Sequence, residues 1–212
     1  MANPPPDLSF EGIARAAGFT RIAGVDEVGR GPLAGPVMAC AVILDPDCIP
    51  PGIADSKALT AARRRALFAL IPQVAQVGYG MATVAEIEDI NILAASHLAM
   101  TRALADLPQP PDFALIDGNR LPPALSCPAR TIVKGDTRSL SIAAASIMAK
   151  VWRDDWMVGL AQQHPGYGWE RNAGYPTREH HEGLKCHGVS PHHRRTFAPI
   201  HKMLWQEKNQ TP

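Results

Sequence analysis

No stretch of this sequence is apolar for long enough to cross a membrane. Spanning takes about 20 apolar residues, and the nearest approach, residues 142–151, is interrupted by Ser146 and closes near Lys150. The N-terminal MANPPPDLSF has neither a basic segment nor an apolar stretch behind it. No secretory signal is expected, and residues 1–20 read as a poorly ordered lead-in. Cysteine is scarce: Cys40, Cys48, Cys127 and Cys186 are widely spaced and form no CxxC pair. That argues against a disulfide framework or a zinc knuckle, and for a reduced, cytoplasmic protein. Cys40 and Cys186 sit among small or helical residues and are expected to be packing groups. An excess of one charge is missing too, since 21 Lys and Arg against 20 Asp and Glu leave +1. A balance so even does not by itself announce a nucleic-acid partner. There is no internal repeat and no low-complexity tract.

What is present suits one large domain with a small appendage. The chain has 212 residues, 46% of them apolar, enough for a sizeable core. Charge is unevenly spread. Residues 171–208 carry Arg171, Arg178, Lys185, Arg194, Arg195, Lys202 and Lys208 with six histidines, against Glu179, Glu182 and Glu207. A polyanion could dock there, or the stretch is simply a solvated helical surface.

Apolar patterning lays out the elements. Residues 21–27 read as a strand, followed by the Gly29-Arg30-Gly31-Pro32 turn. Residues 36–44 form a second strand, too close to the first for a parallel crossover and so antiparallel to it. A proline-rich loop ends in Asp55-Ser56-Lys57. Thr60 suits the N-cap of a helix stopped at Pro72. A strand over 77–84 precedes a helix over 90–107. Short strands at 113–116 and 130–133 deliver Asp117 and Asp136 at their ends. A long helix over 139–163 follows, and beyond Pro165 lie two or three short helices. Adjacent strands followed by strands alternating with helices predict a mixed sheet with helices packed on it. The expected divisions are the lead-in 1–20, a core over 21–165 and a helical C-terminal region over 166–212.

Four carboxylates carry the chemistry: Asp26, Glu27, Asp117 and Asp136 stand where strands end or helices begin. Ligand sites in open α/β sheets lie beyond strand ends. Acids gathered there cannot all stay ionised without a compensating cation. An all-oxygen pocket suits Mg²⁺ or Mn²⁺. Two such ions about 3.5–4 Å apart serve phosphodiester cleavage by stabilising both attacking and leaving oxygens. Each acid also has a plain reading: Asp117-Gly118-Asn119 is an ordinary turn, and Asp136 could cap the long helix. Asp26 and Glu27 pose a further problem, because neighbours in a strand point to opposite faces. Both are expected to serve one site only if the strand ends or bulges there.

The segment AGVDEVGRGPLAGPV (23–37), then DSK (55–57), LIDGN (115–119), VKGD (133–136), SIAAASIMAKVWRD (141–154) and GYPT (174–177) resemble, in order, the motifs of bacterial ribonuclease HII. The match runs from about residue 21 to 200. DEVGRGP together with the alanine-rich helix is the specific part; DSK or IDGN alone is weak. The resemblance implies an α/β, RNase H-like mixed β-sheet flanked by helices, with a small helical C-terminal region. It implies an endoribonuclease that cuts the RNA strand of RNA:DNA hybrids. It also implies cleavage 5′ of single ribonucleotides in duplex DNA, as in ribonucleotide excision repair, leaving 5′-phosphate and 3′-hydroxyl ends. Asp26, Glu27, Asp117 and Asp136 are the implied catalytic acids and ligands of two Mn²⁺ or Mg²⁺ ions. Whether Asp136 ligates before substrate arrives is left open.

Choosing RNA means sensing the 2′-hydroxyl. Gly29, Arg30 and Gly31 bring backbone groups close enough, and by resemblance this tripeptide reads that hydroxyl with Tyr175. Lys57, Lys150 and the Arg194-Arg195 pair are candidates for phosphate contacts, which position a duplex without reading its sequence. Partners are expected to be nucleic acids rather than membranes, with a monomer as the default. Three rivals stand beside this reading. One is another RNase H-like nuclease, such as ribonuclease HIII or a transposase-type enzyme. The second is a zinc module built on His180, His181, His187, His192 and His193. The third is a binding domain without catalysis.

Overall fold

The computed structural model describes residues 4–210, and the side chains up to residue 205. Lys208 and Glu207, counted in the charged tail, therefore lie outside the described side chains. Strands β1 (Ile22–Val28), β2 (Val37–Leu44), β3 (Ala75–Ala82), β4 (Phe113–Asp117) and β5 (Ala129–Ile132) form one sheet in the order β3-β2-β1-β4-β5. The first three pair antiparallel, while β4 and β5 join parallel to β1. The sheet is mixed, as the patterning predicts.

Both faces are covered. Helix α3 (Val84–Ala105) buries Ala95, Ala99 and Ala103 against Ala23, Val25, Ala39 and Ala41. On the other face α4 (Leu140–Gln163) and α2 (Ala61–Val74) enclose Cys40, Val42 and Leu44. Helix α4 lies so close to β1 that a side chain at Gly24 would overlap the backbone of Ser141 and Ile142. Small residues on both elements make that approach possible, and it fixes α4 over the strand carrying Asp26.

Several local expectations are corrected. Helix α2 starts after Thr60, whose side chain accepts from Arg63 N–H, but runs through Pro72 to Val74. A proline in the last turn has few following turns to disrupt, so it does not force an immediate stop. Helix α3 begins earlier than residue 90, because Thr83 and Glu86 form a capping box. It breaks at Asn91 (φ 67°), whose Oδ1 accepts from Leu93 and Ala94 N–H and restarts the helix.

The N-terminal region is more than a lead-in. Residues 1–3 lie outside the described residues, but α1 (Ser9–Ala16) docks on β1 and β4. Its Glu11 is buried, accepting from Ser139 Oγ (2.6 Å), Ser141 N–H (3.0 Å) and Ser141 Oγ (2.5 Å) at the start of α4. A carboxylate at a helix N-terminus completes orphan donors and meets the favourable end of the dipole. At the far end, α5 (Trp169–Asn172), α6 (Arg178–His187) and α7 (Ala198–Gln210) gather around Trp169, Leu184 and Ile200 with Met157 of α4. Cys40 is buried as expected, whereas Cys186 is exposed on α6; all four thiols are free.

Candidate active site

β1 stays regular to its end, paired with β2 through Val28↔Met38, with no bulge at the acids. The ladder to β4 stops earlier, at Val25↔Ile116. Asp26 and Glu27 therefore project from opposite faces of a strand whose β4 side has become an open edge. Both carboxylates reach around that edge toward Asp117, the last residue of β4. One oxygen from each of Asp26, Glu27 and Asp117 lies within 4.8 Å of the other two. The expected strand break is thus unnecessary; the early end of a neighbouring ladder does the same work.

Asp136 stands beside this trio rather than within it. It occupies a single 3₁₀ turn, Gly135–Thr137, while Ser139 caps α4 by accepting from Ile142 N–H. The helix-cap reading of Asp136 is corrected accordingly. The same turn places Gly135 N–H 2.6 Å from Asp117 Oδ1, and the Asp136 charge is felt by both Asp26 and Asp117. Lys57 Nζ approaches Asp136 at 3.5 Å from a mostly exposed side chain.

Electrostatics mark the trio as incomplete. Burial, then repulsion from Glu27, Asp117 and Asp136, pushes the Asp26 carboxyl well above its ordinary range. Burial also raises Glu27, against the pull of Arg30 at 3.3 Å, and raises Asp117, where repulsion from Asp136 adds to it. Burial lowers Lys57, but the Asp136, Asp55 and Asp26 charges outweigh it and the ammonium is held above its usual value. Clustered carboxylates that are costly to ionise, offering only oxygen donors, fit a hard divalent cation. Among the described residues this is the one group of three or more metal-ligating side chains. The histidines do not make a second one. Trp169 Nε1 donates to His180 Nε2 at 3.1 Å, His193 Nε2 lies 3.0 Å from the same nitrogen, and Ser190 N–H donates to His193 Nδ1 at 3.0 Å.

A cleft of about 290 Å³ opens on the acids and is lined by Asp26, Glu27, Asp117, Ser146, Lys150 and Tyr175, among others. The remaining sequence candidates are divided by the structure. Lys150 faces this cleft but pairs with Asp154 at 2.8 Å. Tyr175 is 40% exposed, and its ring lies 3.4 Å from where a Gly31 side chain would begin. Gly29 adopts a left-handed backbone (φ 96°), and a side chain there would collide with Arg153. Arg195 is exposed, but Arg194 is fully buried and contacts no solvent. It cannot touch a phosphate, so that expectation is corrected. Its guanidinium binds the carbonyls of Gly29 (2.6 Å), Arg30 (3.0 Å) and Gly35 (3.0 Å). In the tail, Arg171 pairs with Glu170 and Glu179, and Arg178 with Glu182. The tail thus presents fewer unpaired cations than its composition suggests.

Sequence reasoning passed over three sets of residues. Ser146 borders the acids and hydrogen-bonds Ser56 at 2.7 Å. His97, Asn119 and Arg120 line a second cavity of about 400 Å³ on the α3 side of Glu27 and Asp117. Arg153 is fully buried and binds the carbonyls of Ala34, Pro36 and Ala173. A signal for Arg153 was available, since it falls four residues from both Ala149 and Met157 on the apolar stripe of α4.

The sequence profile described as Ribonuclease HII matches residues 23–208. The chain is 63% identical over 202 residues to Ribonuclease HII of Ruegeria pomeroyi, covering 95% of this chain and 86% of that one. It is 59% identical over 206 residues to Ribonuclease HII of Paracoccus denitrificans, covering 97% and 98%. Among solved structures, ribonuclease H2 from Pyrococcus horikoshii superposes with a TM-score of 0.75 at 27% identity, over 90% of this chain and all of that one. Bst-RNase HIII in complex with Mn²⁺ shares the fold, with a TM-score of 0.74 at 20% identity over 93% and 73% of the two chains. The chain belongs to the ribonuclease HII family of metal-dependent endoribonucleases.

Proposed function

We propose that this enzyme, beyond acting on RNA:DNA hybrids as a ribonuclease H, cuts duplex DNA on the 5′ side of a single embedded ribonucleotide. It leaves 5′-phosphate and 3′-hydroxyl ends. The observation that carries the reading is the convergence of Asp26, Glu27 and Asp117 within 4.8 Å, with the Gly29–Gly31 turn leaving the same strand. Asp26, Glu27 and Asp117 hold the divalent cations, two during catalysis, with Asp136 as the fourth ligand. When bound, such ions activate a water for in-line attack and neutralise charge on the leaving 3′-oxygen.

The chain's own groups do the selecting. Backbone atoms of Gly29, Arg30 and Gly31 approach the ribose, since no side chain at 29 or 31 stands in the way. The exposed Tyr175 ring beside Gly31 packs on the sugar at the RNA–DNA junction. Lys57 and Lys150 sit on the cleft wall and contact flanking phosphates. Mg²⁺ or Mn²⁺ serves as the ion, the enzyme acts as a monomer, and the four free thiols accord with the cytoplasm.

The test is a labelled duplex carrying one ribonucleotide, incubated with Mg²⁺ or Mn²⁺ and, separately, with chelator. Cleavage 5′ of the ribonucleotide, abolished by chelator, is expected. An intact duplex alongside a cleaved RNA:DNA hybrid would refute the single-ribonucleotide activity. Tyr175→Ala is expected to slow the single-ribonucleotide cut more than it weakens metal binding.

A further inference from the structure

We propose that Arg194 and Arg153 are positioning residues that aim the backbone donors of the Gly29–Gly31 turn at the substrate and tie that turn to Tyr175. The assignment rests on the reading of this turn and Tyr175 given above. Arg194 and Arg153 are each 0% exposed, and among the described residues neither forms an ion pair. Burying a guanidinium without a counter-charge is strongly unfavourable unless its donors are satisfied. Here they are satisfied by backbone carbonyls, and which carbonyls matters.

Arg194 Nη2 donates to Gly29 O at 2.6 Å and Nη1 to Arg30 O at 3.0 Å. Every peptide bond of the described residues is trans. In a planar trans peptide the C=O and the following N–H point in opposite directions. Drawing the Gly29 and Arg30 carbonyls inward therefore turns the Arg30 and Gly31 N–H groups away from the guanidinium. Among the described residues neither N–H has an acceptor within the chain. The result is two adjacent, unpaired backbone donors beside the carboxylates, suited to a ribose 2′-hydroxyl or the phosphate next to it.

Arg153 holds the other side of the same assembly. Its Nη2 and Nε donate to Ala34 O (3.1 Å) and Pro36 O (3.0 Å), where the loop returns to β2, and its Nη1 to Ala173 O (2.9 Å), two residues before Tyr175. Gly29 lies against the Arg153 side chain, so only glycine fits between them. Leu33 N–H donates to Gly174 O at 2.8 Å, and His180 Nδ1 meets Tyr175 O at 2.9 Å. The planar fork of arginine suits this task because one rigid group sets three carbonyls at once; an ammonium on a flexible stem does not.

The experiment compares wild type with Arg194→Lys and Arg153→Lys. Equilibrium binding is measured in Ca²⁺ to a duplex with one ribonucleotide and to the same duplex all in DNA, alongside Mn²⁺ binding by calorimetry. Arg194→Lys is expected to lower the preference for the ribonucleotide duplex about ten-fold or more, with all-DNA binding within two-fold and Mn²⁺ affinity unchanged. Arg153→Lys is expected to lower it less. A preference equal to wild type in a folded Arg194→Lys protein overturns the proposal. Tyr175→Ala serves as the reference arm. If it keeps the wild-type preference, the underlying reading of the turn and Tyr175 fails; if it loses preference while Arg194→Lys keeps it, the arginine assignment alone fails. Should both lysine variants fail to fold, amide exchange in the wild-type protein decides. Arg30 and Gly31 N–H should exchange quickly in the free protein and be protected by the ribonucleotide duplex, but not by all-DNA duplex. Slow exchange in the free protein, or no protection by either duplex, overturns it.

Discussion

Two clusters of buried and half-buried titratable groups flank the Gly29–Gly31 turn, and they are balanced in opposite ways. On one side Asp26, Glu27, Asp117 and Asp136 crowd like charges, met by Arg30 and Lys57 and by Lys150, whose ammonium already pairs with Asp154. On the other, His180, His193, Trp169 and Ser190 form a chain in which each donor meets an acceptor, running from Ser190 N–H to Tyr175 O. The hydrogen bonds assign its protons: His193 accepts at Nδ1, and His180 donates from Nδ1. The unmatched cluster is where binding energy is available to an incoming cation. The matched one has nothing left to offer a ligand and serves to hold the wall of the cleft. Satisfaction of polar groups, rather than the number of ionisable residues, separates site from scaffold.

The sharpest way to break this contrast is Asp26→Asn. Cleavage should fall by more than the ~10–100-fold that follows loss of an outer-shell partner in a metal site. Stability in chelator should nevertheless rise by about 1 kcal/mol, or roughly 2–4 °C in Tm, because a buried, repelled charge is removed. Calorimetry with a parallel activity assay checks both; full activity would show that Asp26 is not a ligand. Next in size is the response of wild type to metal. Mn²⁺ at a hundred times its dissociation constant should stabilise by about 2.7 kcal/mol, and Asp26→Asn should lose most of that gain.

The matched side should respond with the opposite sign. His193→Ala leaves the Ser190 N–H without its acceptor in the interior, while His180 Nε2 keeps the Trp169 donor; it should cost about 1–3 kcal/mol, read as a lower Tm both with and without metal. The smallest effect concerns acidity. Burial and the neighbouring His180 push His193 down to about 3, and burial lowers His180 as well. The folded state therefore resists protonation that the unfolded chain accepts near pH 6.5. The contribution is fully present above about 6.5 and is lost as pH falls toward 3. Denaturant midpoints measured across that window should fall in wild type and fall less in His193→Gln. Equal slopes would show that the histidine pair does not set the acid limb.

Much of this architecture was legible because its signals are local. Strand alternation, Thr60 as a cap, and acids at the ends of β1 and β4 are all patterns within a few residues. Others were legible but passed over, such as Thr83 with Glu86 as a capping box and Arg153 on an apolar helical stripe. Arg194 and Arg195 are adjacent and chemically identical, yet one is buried under the turn and the other lies in solvent. No local pattern separates them. Cys186 looks like a packing group on α6, but its face of the helix points outward.

The sequence by itself determined the family, the sheet with its helices, and the residue types able to hold a hard cation, because propensity, periodicity and donor chemistry belong to the residues. Tertiary structure alone decided how Asp26 and Glu27 share a pocket from opposite faces, since that depends on where the neighbouring ladder to β4 stops. It also decided that Arg194 serves the interior and Arg195 the surface, because burial is set by which distant segments close over a side chain.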